Sequence, residues 1–266
     1  MKIEQANVLG IGIDALDMNL AIAGIRSALS HHRKGYICLC GVHGVTQARV
    51  DPELSSAFAN ALMVLPDGMP TVWVGRLQGR KQMKRVFGPD LMVEVMSRPE
   101  FTECTHFLFG GDYGVVEDLS ARLTVRCPKA RIVGAYTPPF RAMNEEEESE
   151  LREIVQACHP DIMWVGLSTP KQEMFMARYL YLLDTTLMIG VGAAFLFHTG
   201  KIRDSPSWVK QIGLQWFHRL LQEPSRLWKR YLLANTKFMV KIILQFTGFK
   251  RYSLAPTQRT REGGSV

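Results

Sequence analysis

No stretch of this sequence stays apolar for the roughly 20 residues that a bilayer-spanning helix takes. The longest run near its C-terminal end, FMVKIILQF (238–246), is broken by a lysine. The opening MKIEQANVLGIGIDAL carries an acid at Glu4 and no apolar run ending in a cleavage site, which argues against a signal peptide. Cys38, Cys40, Cys104, Cys127 and Cys158 are too scattered for a disulfide framework, and the C-x-C pair has no partner pair at zinc spacing. Reduced, buried thiols in a cytoplasmic compartment are expected, with no metal site. The dinucleotide fingerprint G-x-G-x-x-G is missing, since GIGIDAL (10–16) lacks the third glycine, and this argues against a nucleotide-cofactor oxidoreductase. There is no Walker sequence, no D-x-D of the sort that holds a divalent metal, no low-complexity tract and no solenoid repeat.

What is present is a chain of 266 residues, 47% hydrophobic, enough to bury one large domain or a main domain with an appendage. Its net charge of +7 is unevenly placed. Eight cations (Arg219, Arg226, Lys229, Arg230, Lys237, Lys241, Lys250 and Arg251) face one acid, Glu223, while the other residues balance at 24 of each sign. The whole excess sits in one C-terminal segment, which predicts an anionic partner for that segment and not for the chain at large.

Short apolar runs alternate with helix-length stretches. Strands are expected at 8–13, 36–42, 62–66, 105–111, 131–136, 161–167 and 186–192, and helices at Met18–Ser30, Tyr113–Arg126 and Glu145–His159. Strands apolar on nearly every residue and separated by helices predict a doubly wound, mostly parallel, Rossmann-like α/β sheet. The expected division is an α/β domain at 1–205, a basic helical appendage at 206–250 and a disordered tail at 251–266.

That architecture places ligands at the carboxyl ends of its strands. Gly, Pro and polar residues collect there: GVHG with His43, PDGMP with Asp67 and Gly68, GGDYG with Gly110 and Gly111, TPPFR, STPKQE and GAAF. Pro-Asp-Gly is ordinary turn chemistry, but its position also suits an acid at the mouth of a site. STPKQE (168–173) reads as a helix start capped by Ser168 or Thr169, with Pro170 at the first helical position. Capping does not call for Lys171 and Gln172, which suit a phosphate or a sugar. RVFGPD (85–90) places Arg85 and Asp90 about a glycine–proline turn, with Asp90 read as a helix cap. The basic segment carries Trp216, Phe217, Trp228, Tyr231, Phe238 and Phe246 among its cations, a pattern that fits a helix lying on an anionic membrane surface. No nucleic-acid motif accompanies the charge.

Taken in order, ARVDPEL, LPDGMPTVW, RVFGPDL, FLFGGDYGVVE, WVGLSTPKQE, IGVGAAF and QWFHRLLQEPSRLWKRYL resemble the bacterial WecG/TagA/CpsF glycosyltransferases over nearly the whole chain. The resemblance implies transfer of a sugar, such as N-acetylmannosamine, its uronate or a hexose, from a UDP-sugar to a saccharide on a polyprenyl diphosphate. It implies inversion at the anomeric carbon without metal or cofactor, by an enzyme held peripherally at the inner face of the cytoplasmic membrane. It assigns the catalytic base to Asp67 and a catalytic cation to Arg85. The resemblance adds Gln172 to the substrate contacts, which with the strand-end reading are expected at His43, Gly68, Asp90, Gly110, Gly111, Lys171, Gln172, Glu173 and Gly192. Contacts to the lipid diphosphate or membrane fall on Arg219, Arg226, Lys229 and Arg230. Two departures stand out: Leu39, Cys40 and Gly41 replace the Thr-x-Asn of many relatives, and Leu196 stands where an Asp is usual. Leu196 keeps a second reading in view, a non-catalytic membrane-associated partner in a polysaccharide assembly complex.

Overall fold

The computed structural model describes residues 3–255, apart from the side chains of Ser207, Gln211, Arg226 and residues 229–232. Its strands are β1 (Gln5–Val8), β2 (Ile11–Asp14), β3 (Gly35–Cys40), β4 (Met63–Pro66), β5 (Thr105–Gly110), β6 (Arg131–Tyr136), β7 (Ile162–Gly166) and β8 (Leu187–Gly190). Its α-helices are α1 (Met18–Ser30), α2 (Val42–Ala48), α3 (Pro52–Asn60), α4 (Met69–Leu77), α5 (Gly88–Ser97), α6 (Val115–Arg126), α7 (Glu145–Cys158), α8 (Lys171–Tyr179), α9 (Ala194–His198), α10 (Ser207–Gln211), α11 (Gln215–Gln222) and α12 (Pro224–Phe246).

Six strands form one all-parallel sheet in the order β4-β3-β8-β7-β5-β6, flanked by helices, as the alternating pattern predicts. Strands β3, β4, β5, β7 and β8 are buried along almost their whole length, which is why they read as continuous apolar runs. Strand β6 lies at an edge and is only half-buried. Contacts divide the chain into two compact units. One comprises the described parts of Met1–Met18, Leu39–Phe87 and Arg203–Val266; the other comprises Asn19–Cys38 and Gly88–Ile202.

In the second unit the core gathers Phe107, Phe109, Trp164 and Ile189. His106 is buried with them and accepts a hydrogen bond at Nδ1 from Trp164 Nε1 (3.2 Å), which leaves its own proton on Nε2. Burial pushes its pKa down to about 4, because the cation would have to give up its water. Helix α7 starts in a capping box: Asn144 Oδ1 accepts from the Glu147 amide (2.8 Å) and Glu147 returns the bond (2.9 Å). The five cysteines form no disulfide; Cys38, Cys40 and Cys127 are buried, whereas Cys104 and Cys158 are half-buried. Burial and the carboxylates of Asp161 and Glu103 hold the Cys104 thiol up at about 11, so it stays protonated.

In the first unit the expected strand at 8–13 does not form. Leu9 (φ 56°) and Gly10 (φ 91°) instead make the two-residue turn of an antiparallel hairpin in which Val8 faces Ile11 and Gln5 faces Asp14. An unbroken apolar run hides such a turn, because it shows neither period. Residues from far along the chain fix the hairpin. Gln78 Oε1 accepts from the Asn7 amide (2.8 Å) while Gln78 Nε2 donates to the Asn7 carbonyl (2.7 Å). Gln245, near the end of α12, accepts from the Leu9 amide (3.0 Å) and donates to the same Asn7 carbonyl (2.8 Å). Of the segment read as a disordered tail, Tyr252 is buried: its carbonyl accepts from Asn7 Nδ2 (2.6 Å), and Arg49 lies 4.9 Å from its ring centroid. The Ala255 amide donates to the Gly10 carbonyl (3.3 Å), and residues 256–266 of that tail lie outside the described residues.

Candidate active site

The candidate residues fall into two groups, one in each unit. In the first unit Asp67 follows β4, and its amide donates to the Cys40 carbonyl (3.1 Å). A β-carbon on Gly41 would lie 2.4 Å from the Asp67 carbonyl oxygen, so this backbone has no room for a side chain at position 41. Gly68, at φ 119°, then turns the chain into α4, and Thr71 Oγ1 donates to its carbonyl (2.8 Å). The Val86 amide donates to the Pro66 carbonyl (2.9 Å), which brings Arg85 back to the acid. Arg85 donates to Asp67 Oδ1 from Nε (3.4 Å) and Nη2 (3.3 Å). The Asp67 side chain keeps 36% of its surface in solvent and that of Arg85 keeps 15%. An accessible carboxylate with a cation on one oxygen can accept a proton on the other. His43 stands half-buried in the first turn of α2.

The C-terminal cations belong to this unit too. Arg219 on α11 donates to Glu223 one turn on (3.3 Å). The backbone positions of Arg226, Lys229 and Arg230 are on α12, but their side chains lie outside the described residues. Leu227, Phe238 and Ile242 turn α12 inward, while Trp228, Leu233, Met239, Val240, Ile243 and Phe246 are exposed. Among the described residues no helix is long and apolar enough to cross a membrane. Burial and the neighbouring charges of Arg49, Lys250 and Lys237 lower the Lys241 pKa, which marks a concentrated positive potential along this face.

In the second unit β5 ends at Gly110 (φ 126°), where a β-carbon would come within 2.8 Å of the Gly166 backbone at the end of β7. Gly111 follows at φ 77°, and the chain enters α6 at Val115, two residues later than the sequence suggests. Helix α8 also starts late. Lys171 is its first residue and Pro170 occupies the cap position, so neither Ser168 nor Thr169 caps it; Thr169 Oγ1 donates instead to Glu173 Oε1 (3.0 Å). Gln172 and Glu173 are 2% and 0% exposed, and their described bonds are internal. Gln172 Oε1 accepts from the Gly192 amide (2.9 Å) and its Nε2 donates to Glu173 Oε1 (3.0 Å). They hold the loop after β8 in place against the start of α8. Lys171 lies 4.7 Å from the Phe140 ring centroid, and Phe140 and Tyr113 are both almost wholly exposed at strand ends. Asp90 is not a cap: α5 already begins at Gly88, so Asp90 is an exposed acid in its first turn, where the helix dipole favours it. Leu196 is half-buried on α9, and its carbonyl accepts from the Ile202 amide (3.0 Å).

Two residues near the Asp67–Arg85 pair escape the sequence reading. Phe87 carries Arg85 over its ring at 4.4 Å and Lys210, from α10, at 5.0 Å. Phe87 lies inside RVFGPD, but only the charged members of that motif advertise chemistry. Lys210 lies outside the cation-rich stretch altogether.

Over 223 residues, 80% of this chain and 84% of the relative, the sequence is 25% identical to an N-acetylglucosaminyldiphosphoundecaprenol N-acetyl-beta-D-mannosaminyltransferase of Bacillus subtilis (strain 168). A protein of the same name from Bacillus spizizenii (strain ATCC 23059 / NRRL B-14472 / W23) is 26% identical over 197 residues, 74% of each chain. The model of the glycosyl transferase WecG/TagA/CpsF family matches residues 6–252, and the chain belongs to that family of glycosyltransferases.

Proposed function

We propose that this glycosyltransferase moves a sugar from a UDP-sugar to a saccharide carried on a polyprenyl diphosphate, with inversion and without a metal, in the synthesis of a cell-surface polysaccharide. One observation carries the reading: a solvent-accessible acid at a strand's carboxyl end, Asp67, with Arg85 bonded to one of its oxygens. The names of the two Bacillus relatives support a polyprenyl-linked acceptor.

In the reaction an acceptor hydroxyl attacks the anomeric carbon of the donor. As the new carbon–oxygen bond forms, the hydroxyl proton passes to the Asp67 carboxylate. The bond between the anomeric carbon and the UDP oxygen breaks on the opposite side, and UDP leaves with the electron pair. A single displacement of this kind inverts the centre. Arg85 stabilises the charge that develops on UDP, the task a divalent cation performs where a D-x-D sequence holds one. Substrate contacts are assigned to His43 and Gly68 in the first unit and to Asp90, Gly110, Gly111, Lys171 and Gly192 in the second, where Gln172 with Glu173 shapes the loop that carries Gly192. Arg219, Arg226, Lys229 and Arg230 take the lipid diphosphate. The exposed apolar and basic faces of α12 rest on the anionic inner surface of the cytoplasmic membrane, without spanning it.

The test is UDP release by the purified chain with a polyprenyl-diphosphate saccharide analogue, across a panel of UDP-sugars with EDTA present. Release that requires both one donor and the acceptor is the expected result. Release that needs no acceptor, or that EDTA abolishes, contradicts the mechanism.

A further inference from the structure

We propose that Phe87 and Lys210 are positioning residues for Arg85, through which the C-terminal segment sets the aim of the catalytic cation; this rests on the assignment of Arg85 and Asp67 above. Phe87 is almost buried, and two cations lie over its one ring, Arg85 Cζ at 4.4 Å and Lys210 Nζ at 5.0 Å from the centroid. Each cation has its own carboxylate, Asp67 for Arg85 and Asp204 for Lys210. The row therefore runs carboxylate, cation, ring, cation, carboxylate through residues 67, 85, 87, 210 and 204.

The row matters because the ion pair alone aims Arg85 poorly. Its bonds to Asp67, at 3.3 and 3.4 Å, are longer than the roughly 2.7–2.9 Å of a tight charge-assisted bond, and both fall on the same oxygen. The ring is the second restraint. A guanidinium stacked on an aromatic face is attracted by the ring's quadrupole and loses freedom to swing away. Lys210 then fixes the ring from the C-terminal segment. It is itself held by Asp204, which also accepts from the Ser205 amide (2.8 Å) and from Gln215 Nε2 (3.3 Å). Lys210 thus reports where α10 and the start of α11 stand, and Phe87 passes that position to Arg85.

The test uses the full chain carrying Phe87→Leu, Phe87→Tyr, Lys210→Gln or Lys210→Arg, and the double variant Phe87→Leu/Lys210→Gln. UDP binding is measured by calorimetry, and the Arg85 Nε–Hε resonance by NMR. Loss of the aromatic face should weaken UDP binding about tenfold and Lys210→Gln about threefold, while the double variant binds no more weakly than Phe87→Leu alone. Phe87→Tyr and Lys210→Arg should restore the wild-type value, which a general packing defect would not predict. The Arg85 resonance should lose its ring shift in Phe87→Leu and move in Lys210→Gln. Effects that multiply in the double variant, or an Arg85 resonance unmoved by Lys210→Gln, overturn the coupling. If the wild-type chain fails to bind UDP while the resonance still responds to both substitutions, the donor assignment falls and the coupling stands.

Discussion

Asp67 keeps about a third of its side chain in solvent and meets Arg85 at 3.3–3.4 Å, whereas Glu173 is fully buried and takes two bonds of 3.0 Å. Both are acids at strand ends that the sequence marks as site residues, yet one is left open and the other is closed. The closed group, Thr169, Gln172, Glu173 and Gly192, bonds among its own members and keeps a loop in one shape. The open group presents charge that its neighbours have not fully taken up. Groups of the first kind hold a surface to which a ligand can fit; groups of the second kind can exchange a proton with one.

Substitutions separate the two kinds. Replacing Asp67 by Asn keeps the shape and removes the proposed base, so turnover should fall about 10²-fold or more while UDP binding and melting temperature hold. A wild-type rate in that variant would put Asp67 in the closed class with Glu173. Gln172→Ala should do the reverse in kind, lowering stability by about 2 kcal/mol in urea titrations, because it strips buried partners from Gly192 and Glu173. A stable, inactive Gln172→Ala protein would instead make Gln172 a direct substrate contact.

The second unit, which holds Glu173, also carries a built-in sensitivity to acid. His106 is neutral when folded, with a pKa near 4, but takes up a proton near its ordinary value when unfolded. The unfolded state therefore binds more protons as pH drops below about 6.5, and stability falls in that window. Between pH 7.5 and 5 the loss should be about 1–2 kcal/mol, and His106→Leu should flatten it in parallel melts. The smallest effect is expected on the basic face. Lys241 is crowded by Arg49, Lys250 and Lys237, so Lys241→Gln should raise the melting temperature slightly. The same change should weaken binding to phosphatidylglycerol vesicles by about fivefold at most, as one cation fewer faces the surface.

How much of this was legible in the sequence depends on how far apart the partners lie. Helix α1 falls at Met18–Ser30 as expected, and α7 at Glu145–Cys158, one residue short of the expected end. The sheet was legible because buried parallel strands have no polar face to interrupt them. The first run misled for the same reason: nothing in VLGIGI separates a strand from a turn flanked by two strands. Its outcome is set by Gln78, 71 residues on, and by Gln245, 236 residues from Leu9. The acid of PDG was legible as a residue type at a strand end, and the arginine of RVFG through the family resemblance. Phe87 was not, because its role comes from a lysine that the fold brings to it from α10.

The clasp on the hairpin has a consequence for the order in which the protein can be completed. Asn7 leaves a ribosome more than 200 residues before Gln245, Tyr252 and Ala255, which close on it and on Gly10. Residues 88–202 can gather their contacts while translation is still under way, but the unit that holds Asp67 waits with its hairpin unclasped. A chain cut short before Gln245 would carry every motif at the strand ends and still lack the piece that ties the first strand down. Synthesis that stops early thus leaves the unit that holds Asp67 unfinished, and a truncated product is marked by a loose hairpin that proteases can reach.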